Sequence, residues 1–396
     1  MTGRPRENIL PQPLLTVTIP IYNGARNIRR NLESLAAQTF KDFRVEIVDN
    51  ASTDGSYEII SEFVSRDQRF RCHRNQKNMG PGYSNRRMIY SVDTPYYARL
   101  HHDSYWAPSY AEECLNALES DPGAVLAYSY CQFVNSENQP LEISRDQYPY
   151  DHDDPAERYL GVVKHMGWCT AFHGVMRTSV MIEELPRLFE RINAAGDNEF
   201  LALMALRGKL VQVEKPLFFR LKDTYQAKAE NMEERYARIY KGWGAEGLLP
   251  FCSYIRDHCR DVTESGLPPE KADRMIKETI SIFLARYHQY IEFELTRAVK
   301  MIIDGDIKRR WGDAERSEPT AVGGQQYRCL DFAYLLQINR ELEYAFHFMP
   351  SLPDFHYARA LVLVLLGRQD EAKVSLEREL ARSPYHRLAL DLKARL

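Results

Sequence analysis

No uninterrupted apolar run in the 396 residues approaches the roughly 18 needed to span a membrane, so no membrane span is expected. The N-terminal stretch MTGRPRENILPQPLL lacks the apolar centre of a signal peptide, which makes a cytoplasmic location the expectation. A basic excess is also missing. Lys and Arg total 52 against 55 Asp and Glu, a formal charge of −3, which excludes the non-specific nucleic-acid binders. The seven cysteines (Cys72, Cys114, Cys131, Cys169, Cys252, Cys259 and Cys329) form no Cys-x-x-Cys pair, so zinc-site spacing is absent. Their odd number argues against a full disulfide framework and for buried free thiols. No G-x-G-x-x-G follows the first strand-like run, which weighs against a dinucleotide dehydrogenase.

What is present suits a soluble globular chain of two or three domains, with 44% hydrophobic and 27% charged residues. The 24 tyrosines and 17 phenylalanines imply large aromatic surfaces in cores or in a polar ligand cleft. The first half alternates strand and helix signals. LLTVTIPIYN (14–23) reads as a buried strand ending near Pro20 and Asn23, and residues 25–40 place Ile28, Leu32, Leu35 and Ala36 on one helical face. A second strand, 43–49, enters the polar loop DNASTDGS, and a helix follows. This rhythm predicts an α/β fold with a mostly parallel central sheet flanked by helices over 14–222. Ligands of such sheets sit at the carboxyl ends of the strands, where Asn23 and Asp49 fall. Further strand-like runs are 95–102, 124–134 and 209–221.

Beyond Lys222 the pattern becomes all-helical. Residues 275–303 carry Ile276, Ile280, Phe283, Leu284, Tyr287, Ile291, Leu295, Ala298 and Ile302 at steps of three and four, a long amphipathic helix. Residues 304–327 are polar and rich in turn formers, so 223–330 reads as a helical region with a linker. In 331–396, Ala360, Gly367, Ala372, Leu376 and Pro384 have the spacing of a tetratricopeptide-like helix pair, and an ordinary helical hairpin fits equally. The long helix and the tail could serve self-association as a homodimer or an ordinary intramolecular core, and the core is favoured.

The chemistry-bearing residues cluster in loops at strand ends. Asp49, Asn50 and Ser52 offer the donors and acceptors a nucleotide needs, while Asp54 and Gly55 read as turn formers. In NMGPGYSNRR (78–87), Gly80 and Gly82 allow tight backbone geometry. Asn85, Arg86 and Arg87 then open a helix, a good place for a diphosphate.

Taken in order, TIPIYN, VDNASTDGS, NMGPGYSNRR, LHHDS and AAGDNEFLALMALRGKLV resemble the family 2 glycosyltransferases over roughly residues 14–221. The resemblance implies the GT-A fold, a nucleotide-diphosphate-sugar donor, a divalent cation (Mn²⁺ or Mg²⁺) and inversion at the anomeric carbon. A UDP-sugar is the favoured donor, with a dTDP-sugar next. The acceptor is a saccharide, a protein or a natural product. By position, Pro20, Tyr22, Asp49 and Asn50 surround the base and ribose, and Asn85 and Arg86 lie near the diphosphate. Many relatives have an aspartate where this chain has Asn50, and Arg86 stands where asparagine is common.

The family's Asp-x-Asp is LHHD here, with only Asp103 in place. One carboxylate suffices for such a cation, which takes its remaining ligands from water and phosphate. In an extended segment His101 shares a side with Asp103, making it a second candidate metal ligand, while His102 faces the other way as a polar pocket residue. The register of GDNEFLALMALRG implies Asp197 as the general base that deprotonates the acceptor hydroxyl, with Glu199 the nearby alternative. Trp168 is a candidate sugar-stacking platform, and His173 a residue that could reach a phosphate or the metal. A different class of reading is a non-catalytic nucleotide-sugar-binding or scaffold protein that binds partners on its tail. The altered Asp-x-Asp favours that reading and the retained Asp197 counts against it.

Overall fold

The computed structural model describes residues 13–79, 84, 87–90, 92–145, 148, 150–190, 196–222, 250–303 and 354–396. The chain divides into two compact units, Met1–Arg191 with Gly196–Lys228, and Ile192–Ala195 with Ala229–Leu396.

The first unit opens with β1 (Leu15–Ile21), α1 (Ala25–Ala36), β2 (Phe43–Asp49), α2 (Ser56–Arg66) and β3 (Phe70–Arg74). It continues through β4 (Tyr96–Arg99), β5 (Ser104–Trp106), α3 (Tyr110–Ser120), β6 (Ala124–Val134) and β7 (Pro140–Ser144). Then come α4 (Pro155–His165), a 3-10 turn at Thr170–His173, β8 (Val175–Arg177), α5 (Thr178–Glu190), α6 (Gly196–Arg207) and β9 (Lys209–Leu221). The nine strands form one sheet in the order β3-β2-β1-β4-β8-β6-β9-β5, with β7 added to β6.

The α/β sheet is mixed. β1, β2, β3 and β4 are mutually parallel neighbours, whereas β8 runs antiparallel to both β4 and β6. β6 and β9 are parallel, and β5 and β7 are antiparallel additions. Hydrophobic periodicity does not encode strand direction, which is set by these long-range pairings.

β1 sits inside the parallel half, so both of its faces are covered. Leu15, Val17 and Ile19 are fully buried on one face and Thr16 and Thr18 on the other. Thr18 Oγ1 satisfies itself 2.9 Å from the Tyr97 hydroxyl. α1 lays Ile28, Leu32 and Leu35 into the same core. Each such side chain contributes roughly 1.5–3 kcal/mol, enough to outweigh the polar Asn31 buried beside them.

The second unit is helical where described. α7 (Pro250–Glu264) and α8 (Pro269–Ile303) are joined by a short turn with Gly266 in the left-handed region, φ 76°. The buried stripe of α8 runs through Met275, Thr279, Phe283, Ile291 and Leu295, leaving Ile276, Ile280 and Leu284 half-buried. Glu294, fully buried, accepts from the Phe251 and Cys252 amides and so caps the start of α7.

α9 (Phe355–Leu365), α10 (Gln369–Arg382) and α11 (Arg387–Arg395) end the chain. Ala360, Ala372 and Leu376 are fully buried between them, and Gly367 takes φ 72° in the turn, a backbone conformation that favours glycine. Glu379 accepts from the His356 and Tyr357 amides. His386 Nδ1 accepts from the Ala389 amide, so Nε2 carries the proton and donates to Asp354 Oδ1 at 2.8 Å. In this cluster of Asp354, Glu379 and His386, Glu379 Oε2 and His386 Nδ1 accept from helix-end amides, and Asp354 Oδ1 accepts from His386. No helix among the described residues is long and apolar enough to cross a membrane. The expected linker at 304–327 and the segment from about 331 to 353 lie outside the described residues, as do 223–249.

Candidate active site

Two loops at the carboxyl ends of β1 and β2 are locked together. Asn23 sits in the left-handed region at φ 51°, which its short amide tolerates. Its side chain accepts from the Thr53 amide and its own amide donates to Ser52 Oγ, both at 2.9 Å. The next two amides donate to Ser56 Oγ (from Gly24) and Asp54 Oδ2 (from Ala25). Asp54 thus satisfies an orphan N–H at the start of α1, and Gly55 turns the chain into α2 at φ 92°.

Asp49 and Asn50 are more deeply committed than the sequence suggests. Asp49 is fully buried; Oδ1 accepts from the Ser52 amide, and Arg74 Nε stands 3.1 Å from Oδ2. Arg74 also donates to the Ser52 carbonyl and lies over the Tyr57 ring. Asn50 Oδ1 accepts from Asn75 Nδ2 and the Met79 amide, each at 2.9 Å, while its Nδ2 donates to Asn78 at 2.6 Å. Its donor and acceptor capacity holds the 75–79 loop in place. Tyr22, 46% exposed, the exposed Asn23 and Thr53 and the half-buried Pro20 are accessible at this edge. Gly80, Asn85 and Arg86, with Gly82, lie outside the described residues.

The segment at 101–103 is not extended. The Ser104 amide donates back to the His101 carbonyl, closing a turn between β4 and β5. His101 still meets Asp103, but by direct contact, with Nδ1 2.7 Å from Oδ1. The two imidazoles lie 4.6 Å apart, so His102 does not face the opposite side. Its ring packs on Gly24, where an added Cβ would stand 2.5 Å from His102 Cδ2. Burial, with His101 adding to it, pushes the His102 imidazole down to about 4, so it is neutral at pH 7. Burial raises the Asp103 carboxyl, but the His101 hydrogen bond, the imidazoles and Ser104 Oγ outweigh it and hold it well below the usual carboxylate range.

This donor set fits a hard cation at one point. Oδ1 of Asp103 is occupied by His101 and Ser104, whereas Oδ2 takes no hydrogen bond among the described residues. A carboxylate oxygen suits Mg²⁺ or Mn²⁺, and His101 is placed to orient that carboxylate from behind. One residue that sequence reasoning missed anchors the turn. Asn31, on α1, donates to the carbonyls of His101 and Ser104 at 2.9 and 2.7 Å. The available signal was a polar residue three positions after Ile28, on the apolar face.

Asp197 and Glu199 share the first turn of α6 but not the same surroundings. Asp197 is exposed, with Oδ1 accepting from the Asn198 amide, while Glu199 is buried at 1% exposure. Desolvation of the Asp197 carboxyl raises its pKa, opposed by the Asn198 amide, the Arg220 guanidinium and the Cys169 thiol. Trp168 remains 43% exposed, tilted over Phe133 at 4.9 Å. His173, by contrast, is a core residue. Its Nδ1 donates to the Arg99 carbonyl, its ring stacks on Phe218, and burial drives its pKa well down. This burial, with Nδ1 engaged, counts against the phosphate or metal contact that its position left open.

Residues 16–174 match the model described as glycosyl transferase family 2. An uncharacterized glycosyltransferase of Methanocaldococcus jannaschii is 28% identical over 144 residues, covering 36% of this chain and 50% of that protein. Chondroitin synthase of Escherichia coli is 30% identical over 125 residues, 32% of this chain and 18% of that one. The chain thus spans half or less of the length of these curated relatives. The crystal structure of S. aureus TarS 1-349 superposes with a TM-score of 0.53 at 14% identity, covering 93% of this chain and 91% of TarS. Its complex with UDP-GlcNAc gives 0.52 at 15%, with 93% and 92% covered. These likenesses show the GT-A-like fold, and residues 16–174 carry the match to glycosyl transferase family 2.

Proposed function

We propose that this chain, as the bearer of a family 2 glycosyl transferase domain, is an inverting glycosyltransferase that moves a sugar from a UDP-sugar, or next a dTDP-sugar, to an acceptor hydroxyl. The observation that carries the reading is the exposed Asp197 at the start of α6, in the same unit as the interlocked loops at the ends of β1 and β2. The bound UDP and UDP-GlcNAc of the TarS complexes support the class of donor.

In this mechanism Tyr22, Asn23 and Pro20 receive the base and ribose, while Asp49, Asn50 and Ser52 fix the shape of that pocket from beneath. The acceptor hydroxyl gives its proton to an Asp197 carboxylate oxygen as its own oxygen bonds to the anomeric carbon. The bond from that carbon to the diphosphate breaks on the opposite face, which inverts the centre. A raised pKa makes Asp197 a stronger base than an ordinary aspartate. A divalent cation held by Asp103 would neutralise charge building on the departing diphosphate. Glu199, being buried, supports the helix rather than the acceptor.

The test is release of a nucleoside diphosphate from a panel of UDP-, dTDP- and GDP-sugars, repeated with Asp197→Asn. Turnover of one donor, lost by about 10²- to 10⁴-fold in the variant with nucleotide binding retained, is the expected result. Unaltered turnover in Asp197→Asn removes the base. Donor binding without any turnover instead supports a non-catalytic sugar-nucleotide-binding protein, the reading that the reduced Asp-x-Asp favours.

A further inference from the structure

We infer that Arg220 is a positioning residue that registers the acceptor wall against the turn carrying Asp103. The inference rests on the transferase reading above and adds a residue to it that no motif singled out.

The geometry starts at the sheet. β5 and β9 are antiparallel, and their register pairs Ser104 with Arg220. The backbone of Arg220 is therefore fastened directly beside the residue that follows Asp103. From there its Nη1 reaches across to the Trp168 carbonyl, 3.2 Å away. Trp168 leads into Cys169, which is held in the left-handed region at φ 51°. A non-glycine residue there costs about 1–2 kcal/mol, so the conformation persists only where neighbouring contacts impose it. Two such contacts are present. Phe133 supports the indole of Trp168, and the Cys169 carbonyl accepts from the Phe172 amide in the 3-10 turn.

The same guanidinium also acts on Asp197, where its positive charge favours the carboxylate. Arg220 thus touches the wall of the site at Trp168, biases the base, and is carried by the strand that borders Asp103. A planar guanidinium suits this task, because it can keep a directed hydrogen bond to a carbonyl while presenting charge sideways. Lysine offers the charge without the fork.

The experiment compares Arg220→Gln and Arg220→Lys with the unaltered enzyme, using thermal unfolding to confirm folding and UDP as the nucleotide probe. Nucleoside-diphosphate affinity is expected to stay within about twofold, while kcat falls about 10- to 100-fold as the wall loses its register. The low-pH limb of kcat should move to higher pH in Arg220→Gln and return toward its original position in Arg220→Lys. Independently of turnover, a carbon-13 NMR titration of Asp197, assigned with Asp197→Asn, should show its midpoint raised in Arg220→Gln. An unmoved midpoint and limb in a folded Arg220→Gln overturn the inference. If Arg220→Gln does not fold, Arg220→Lys decides: kcat and acceptor KM equal to the unaltered enzyme overturn it, and a lowered kcat with unchanged UDP affinity supports it. Absence of any donor turnover in the unaltered chain strikes the transferase reading alone, since the NMR midpoint still reports on Arg220.

Discussion

Asn31 Nδ2 stands 2.7 Å from the carbonyl of Ser104, so a buried helix amide holds the turn on which Asp103 is presented. Asn31→Leu would keep the volume but remove the side-chain donor to the Ser104 carbonyl and leave the His101 carbonyl with the Ser104 amide alone. Taking the donor from a buried carbonyl costs about 1–3 kcal/mol, so denaturant unfolding should show a loss of that order. UDP affinity should drop in the folded variant if the turn shifts.

Gly24 is sterically required. The imidazole of His102 occupies the space a methyl group would need. Gly24→Ala should destabilise the protein by about 1–3 kcal/mol, and His102→Ala in the same chain should restore part of the loss. Equal stability of Gly24→Ala and the unaltered protein in urea would contradict this packing.

Asn50 tests how far the nucleotide pocket depends on an amide. Asn50→Asp removes the donor to Asn78 and sets a carboxylate against that acceptor. The expected cost is about 1–3 kcal/mol, even though many relatives are expected to carry aspartate here. A chain of unchanged stability would mean that the 75–79 loop re-forms its hydrogen bonds another way.

Metal dependence separates Asp103 from His101. Asp103→Ala should abolish the Mn²⁺-dependent part of UDP binding. His101→Ala, removing only the group that orients the carboxylate, should weaken it by about 10- to 100-fold. Calorimetric affinities that are identical with and without Mn²⁺ in the unaltered chain dispose of the metal role.

The pH profile follows from Asp197. Surrounding protein raises its pKa, and the base works only when deprotonated. Activity should therefore fall as pH drops through a midpoint above the ~3.9 of an unperturbed aspartate. A limb at or below that value would assign the proton transfer to another group.

Much of this architecture is legible in the sequence. The runs at 124–134 and 209–221 become β6 and β9 with those bounds, because buried strands read as continuous apolar and aromatic segments. The loops after β1 and β2 were recognisable from their small polar residues. Strand direction was not, since it depends on pairings such as Ala98 with Val175. Nor was the turn at His101–Asp103, which Asn31 imposes from 70 residues earlier in the chain. His173 reads as reactive by residue type, yet its surroundings make it core. Arg220 carried no local mark because its partners, Ser104 and Trp168, come from distant segments.

The change of strand direction between β4 and β8 divides the site into two inheritable parts. Everything proposed to receive the nucleotide precedes Ser104, whereas Trp168, Asp197 and Arg220 follow β6. A chimera exchanging residues 13–103 between two such chains would therefore transplant a donor preference while leaving the acceptor wall behind. The seams that have to match are the short β4–β8 ladder, Tyr96–Ala98 against Val175–Arg177, and the hydrogen bonds from Asn31 to the Ser104 carbonyl and from Gln38 to the Ala107 carbonyl.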